Sequence, residues 1–185
     1  MMITLTGFMG SGKTTVGKVL ADFLGCPFMD LDDLVVKKAG KSIPDIFAQD
    51  GEPAFRQLEA QVLRKTVEKY AESTAVLALG GGAILAPASA ALLHEKTVCI
   101  YLRASLDTLL ARLSGETSGR PLLQEIPDQV GDDGGSVVMP GPDRASVSAR
   151  LASREPIYEE TAHVTIDTDG LSPDEVADEI IISAL

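Results

Sequence analysis

Apolar residues occur along this chain in two alternating patterns, short unbroken runs and stripes recurring every three or four positions. The runs "MITLT", "AVLAL", "TVCIYL" and "HVTID" read as strands, and "CPFMD" is a shorter one ending in an acid. Between them, "TTVGKVLADFL" sets Val16, Val19, Leu20, Phe23 and Leu24 on one helical stripe, with Gly25 placed to end the helix. "LDDLVVKKAG" predicts a short helix, again stopped by glycine. "SIPDIFAQDG" offers Ser42 as an N-cap and Pro44 in the first turn. "EPAFRQLEAQVLRKTVEKY" predicts a long amphipathic helix with Phe55, Leu58, Val62, Leu63 and Val67 inward. "SLDTLLARLSG" predicts another helix, and Ser172 and Glu175 are spaced as a capping box around Pro173 for the terminal one.

Strands alternating with helices predict an α/β fold with a mainly parallel sheet covered on both faces. Ligand sites in such folds lie at the carboxyl ends of the strands, where the glycine and acid clusters of this chain fall. Residues 115–143 fit no element. They are rich in glycine, proline and acid without apolar periodicity, so they are expected to form a mobile lid or insertion on one domain spanning 1–185.

Composition narrows the possibilities. The chain has 185 residues, 45% of them hydrophobic, and a formal charge of −11, which disfavours a nucleic-acid partner. The start lacks a basic leader region, and no apolar run nears the roughly 18 residues of a membrane span. A cytoplasmic protein with no membrane partner is expected. Cys26 and Cys99 are not in metal-binding or redox spacing and are expected to be buried thiols. His94 and His163 stand isolated in the sequence, with no catalytic role expected.

The chemistry is concentrated in "GFMGSGKT". Gly7 to Thr14 satisfy G-x-x-x-x-G-K-[ST], a loop whose backbone N–H groups surround phosphate at a helix N-terminus. In that pattern Lys13 reaches the β- and γ-phosphates and Thr14 ligates Mg²⁺. Guanine-reading proteins of this type normally use an Asn-Lys-x-Asp segment. The chain contains no asparagine, so ATP is expected. With no room for mechanochemical domains, a small-molecule kinase is the main class left. "DLD" puts Asp30 and Asp32 at the end of the second strand, where aspartates serve either as helix caps or as Mg²⁺ and proton acceptors. Arg56 and Glu59, three apart on the long helix, and Gly80, Gly81 and Gly82 closing the run "AVLAL" could hold a carboxylate-bearing polyhydroxyl ligand. Each of these also has an ordinary reading, as a surface pair and as a conformational turn.

"GSGKTT", "DLD", "DIFAQDGEPAFRQLE", "LALGGGA", "GRPLL" and "REPIYEETA", in this order, make the chain resemble shikimate kinases from residue 3 to about 168. The resemblance implies a three-layer α/β/α sandwich of P-loop kinase type with five parallel strands ordered 2-3-1-4-5. It also implies transfer of the γ-phosphoryl of ATP to the 3-hydroxyl of shikimate, on the route to chorismate and the aromatic amino acids. Gly10, Ser11, Gly12, Lys13, Thr14 and Thr15 would then surround the phosphates, and Thr14 and Asp30 would hold Mg²⁺. Asp32 would face the attacking hydroxyl, while Arg56, Arg154 and the Gly80–Gly82 backbone would bind shikimate. Arg120 in "GRPLL" would reach the γ-phosphate, and Arg112 would lie against adenine. Partners would be ATP and shikimate, and the chain would act as a monomer. Between Arg120 and Arg154 stands an insertion longer and more acidic than that family's usual lid.

Overall fold

The structure is a computed structural model that describes residues 1–115 and 143–184. Strand β1 (Met2–Thr6) leads through the glycine-rich loop into α1 (Lys13–Leu24). β2 (Phe28–Asp30), α2 (Leu31–Ala39) and α3 (Ile43–Lys69) follow, then β3 (Ala75–Ala78), a 3₁₀ turn (Ala83–Leu85) and α4 (Pro87–Lys96). β4 (Val98–Arg103), α5 (Leu106–Gly115), α6 (Arg144–Thr161), β5 (Val164–Asp167) and α7 (Pro173–Ala184) complete the described elements. The five strands form one sheet ordered β2-β3-β1-β4-β5, with every neighbouring pair parallel. This is the order that the resemblance implied.

Side-chain alternation divides the core between the two faces of the sheet. Ile3, Leu5, Val76, Ile100 and Leu102 pack with Val16 and Leu20 of α1 and Val176 and Ile180 of α7. Met2, Leu77, Cys99 and Tyr101 point the other way, into a larger cluster with α2, α3, α4 and α6 that includes Val35, Leu63, Leu93 and Tyr158. Gly25 and Gly40 end α1 and α2 as expected, Ser42 caps α3, and Ser172 and Glu175 exchange the two bonds of a capping box. The two helices expected over 42–70 run on as one span. It is broken at Gly51, where the backbone (φ 80°, ψ 167°) leaves helical geometry.

Several expectations need correction. Phe23, assigned to the inward stripe of α1, is 67% exposed. A stripe five residues wide exceeds the arc that α1 presents to the sheet, and Phe23 falls beyond its edge. Cys99 is buried, but Cys26 is only partly so, because it lies in the turn after α1. His94 and His163 are neighbours in space: their rings stack at 4.6 Å with planes 8° apart, next to where β4 and β5 begin. That is the end of the sheet opposite the phosphate loop. Helices α4 and α6 had no predicted counterpart, since their apolar stripes are interrupted by alanine, serine and charge. No described helix is long and apolar enough to cross a membrane.

Candidate active site

The loop between β1 and α1 has the conformation its glycines suggested. Gly7 sits at φ 145°, and a Cβ there would lie 2.6 Å from the Leu102 carbonyl oxygen and 2.7 Å from the Ser11 hydroxyl. No other residue type fits that position without moving β4 or the loop. Gly12 is the N-cap of α1 and supplies no side-chain cap, so the first N–H groups of the helix remain available to an anion. Ser11 is buried in the loop, Gly10 packs against Leu113 of α5, and Thr15 is exposed at the start of the helix. The Lys13 ammonium donates to the Gly7 and Phe8 carbonyl oxygens, each at 2.8 Å. Burial lowers its pKa to about 8, against the opposing pull of Asp32 and Asp30.

Asp30 takes the capping role that its motif left open and also meets Thr14 of the phosphate loop. One carboxylate oxygen accepts from the Asp32 N–H at 3.0 Å and caps α2; the other accepts from the Thr14 hydroxyl at 3.0 Å. Asp32, in the first turn of α2, lies against Gly80 of the turn after β3. Burial and the neighbouring Asp30 charge raise its pKa, with Lys13 pulling the other way. A carboxylate with a raised pKa is a stronger base than a free one.

The Gly80–Gly82 turn after β3 is where the acceptor side of the site converges. A Cβ on Gly80 would meet an Asp32 carboxylate oxygen at 2.7 Å and a Glu59 oxygen at 3.2 Å. At Gly82 it would meet the Arg56 guanidinium at 2.6 Å, and at Gly81 it would come within 4.0 Å of the phosphate loop and of Tyr158. Arg56 donates to Glu59 at 2.9 Å and to Glu52 at 3.2 Å. The Glu59 side chain is only 5% exposed, so the pair is far from surface decoration. Burial raises the Glu59 pKa and Arg56 counteracts it. The kink at Gly51 lets the second half of α3 run under this turn while Phe47 and Phe55 close the bend at 4.7 Å.

Arg154 approaches from α6, its guanidinium 5.9 Å from the centre of the Phe8 ring. Arg112 joins the phosphate loop to the segment after β5, donating to the Gly10 carbonyl at 3.3 Å and to Thr168 at 2.9 and 3.2 Å. Arg120 and residues 116–142 of the expected lid (115–143) lie outside the described residues. Sequence reasoning missed Phe8 and Tyr158. Phe8 sat in a variable position of the loop pattern, and the one available signal for Tyr158 was its spacing of four from Arg154.

A phosphate loop at the carboxyl end of β1, a half-buried carboxylate beside it and a guanidinium-lined acceptor side define a P-loop phosphotransferase acting on a small acidic molecule. The family model described as "Shikimate kinase" matches residues 9–184. Shikimate kinase of Salinibacter ruber is 45% identical over 91% of this chain and 78% of its own length. That of Enterococcus faecalis is 39% identical over 97% and 95%. The solved shikimate kinase of Acinetobacter baumannii, in complex with shikimate, superposes with a TM-score of 0.80 at 34% identity over 97% of this chain and 90% of that one. A gluconokinase from Sinorhizobium meliloti shares the fold, with a TM-score of 0.57 at 20% identity over 98% and 89%. The chain belongs to the shikimate kinase family, and it is an ATP-dependent kinase.

Proposed function

We propose that this chain transfers the γ-phosphoryl group of ATP to the 3-hydroxyl of shikimate, with Asp32 as the base. The observation that carries this reading is the position of the Gly80–Gly82 turn. It touches Asp32, the Arg56–Glu59 pair and the phosphate loop, so acceptor and donor would meet across one short gap. Arg56 and Arg154 bind the shikimate carboxylate, and the open backbone of the turn lets the ring lie close. Asp32 orients the 3-hydroxyl and takes its proton as the oxygen attacks the γ-phosphorus. The bond from that phosphorus to the β-phosphate oxygen breaks, and ADP leaves. The transition state is loose, so most of the acceleration comes from alignment and charge neutralisation by Lys13 and Arg120.

Mg²⁺ fits the residues present. The Thr14 hydroxyl and an Asp30 carboxylate oxygen are 3.0 Å apart, hard oxygen donors beside the phosphate position, the type of set Mg²⁺ takes with water and phosphate. Thr14 would hold it directly and Asp30 through water. Bound there, it would neutralise charge on the β- and γ-phosphates. The reading keeps the protein cytoplasmic and monomeric, with residues 1–185 as one domain.

A coupled assay of ADP release tests it, with Mg-ATP and shikimate, gluconate or no acceptor. Shikimate-dependent ADP formation, lost in Asp32→Asn by a factor of roughly 10² or more, is the expected result. Full kcat in Asp32→Asn would remove it as the base. Turnover of gluconate without shikimate would overturn the acceptor.

A further inference from the structure

Tyr158 is fully buried, yet its polar end is placed at the site. It lies on α6 one turn beyond Arg154, so the two side chains leave the helix on the same face. Its hydroxyl donates to the Gly81 carbonyl oxygen at 2.7 Å, and its ring packs on Tyr101 with centroids 5.1 Å apart. The charge of Arg154, one turn earlier on α6, bears on this same oxygen. The phenol therefore bonds the glycine turn from the same helix face that carries Arg154. The turn itself rests on the phosphate loop, with the Cβ direction of Gly81 3.8 Å from the Gly7 carbonyl oxygen. Arg154 reaches the same loop through Phe8. Burial raises the phenol pKa more than Arg154 lowers it, so the proton that binds Gly81 is retained across the neutral range.

We infer that Tyr158 is a positioning residue for the acceptor: it fixes the Gly81 backbone and the Arg154 guanidinium relative to each other before substrate arrives. This rests on the reading above, in which Arg154, with Arg56, binds the shikimate carboxylate and the turn lets the ring lie close. Two binding elements from separate parts of the fold cost less ordering on binding when one side chain already sets their spacing. The ring anchors the hydroxyl through Tyr101, which makes the link rigid. Tyr158 itself does not touch the reacting atoms, so its effect falls on acceptor binding and spares the nucleotide.

The experiment is steady-state kinetics with both substrates, and thermal melts, on Tyr158→Phe, Arg154→Ala and the double variant. Tyr158→Phe keeps the ring and removes only the phenolic oxygen that holds Gly81. It is expected to raise the KM for shikimate about tenfold, the scale of one well-placed hydrogen bond, with the KM for ATP within about twofold. The double variant is expected to fall short of the product of the two single effects, because the tyrosine acts partly through the arginine. An unchanged shikimate KM in Tyr158→Phe, while Arg154→Ala raises it, overturns the inference and leaves the reading beneath it standing. An unchanged shikimate KM in Arg154→Ala overturns that reading, and the inference with it. Equal rises for both substrates with a lowered melting temperature, or a fully multiplicative double variant, would reduce Tyr158 to a packing residue and also overturn it.

Discussion

Adding one methyl group at Gly82 tests whether the position of Arg56, as distinct from its charge, determines acceptor binding. Gly82 has φ −107° and ψ −8°, a conformation alanine adopts without strain, so the backbone does not object. The new Cβ, however, would stand 2.6 Å from one terminal nitrogen of Arg56 and 2.9 Å from the other. That is about 0.8 Å short of ordinary contact, and the guanidinium, as the end of a flexible side chain, must move by roughly that much. A charge-assisted hydrogen bond is worth about 1.5–3 kcal/mol, so misplacing the guanidinium should raise the shikimate KM about 10- to 100-fold. Stability should change little. The alanine gains about 0.4–1 kcal/mol through the unfolded chain, offsetting strain in the Arg56–Glu59 pair, and the melting temperature should stay within about 4 °C. Kinetics with each substrate varied, beside a calorimetric melt, measure both quantities. A shikimate KM within twofold of the parent, or an ATP KM that rises in parallel, would refute the reasoning. Gly80→Ala is the matched contrast: its Cβ meets an Asp32 oxygen at 2.7 Å, so kcat should fall more than the shikimate KM rises.

Three further outcomes follow from the same geometry. Gly17→Ala places a Cβ 2.5 Å from the buried edge of Phe28 and 3.2 Å from Leu5. Overpacking costs about 1–3 kcal/mol against a helix-propensity gain of about 1, so the melting temperature should drop, and a rise would show that α1 can slide. The acid limb of kcat/KM for shikimate should lie above the ordinary carboxylate range, because burial and Asp30 raise the Asp32 pKa and the protonated acid cannot act as base. Asp30→Asn removes the neighbouring charge, so the limb should move to lower pH; an upward move would contradict the assignment. Lys13, with its pKa lowered to about 8 by burial, should regain a proton when phosphates arrive. Calorimetric titration of ATP at pH 8.5, in two buffers of different ionisation enthalpy, should show net proton uptake, and release would contradict it.

The sequence by itself determined most of what depends on local order, with α4 and α6, whose apolar stripes are interrupted, as the exceptions. Strand runs and helical stripes depend on residues within a turn or two of each other, and Gly25, Gly40, Ser42 and Glu175 act on the backbone beside them, so the alternating architecture and its caps were legible. The phosphate loop was legible for the same reason, since its backbone donors are consecutive. The strand order and the expected roles of Arg154, Arg112 and Arg120 came through resemblance to a family, whose motifs keep their order along the chain. Tertiary structure decided which of these residues meet. Whether Asp30 caps α2 or faces Thr14 could not be read from "DLD", and the fold lets it do both. Arg56 and Glu59 look like any surface pair until the Gly80–Gly82 turn covers them, which makes their mutual charge matter. Phe23 remained exposed because the width of a helix contact is set by its neighbours. Tyr158 came to Gly81 across 77 positions, and the two histidines stacked across the start of two parallel strands. Such contacts arise where separate elements pack, and no local pattern along the chain encodes them.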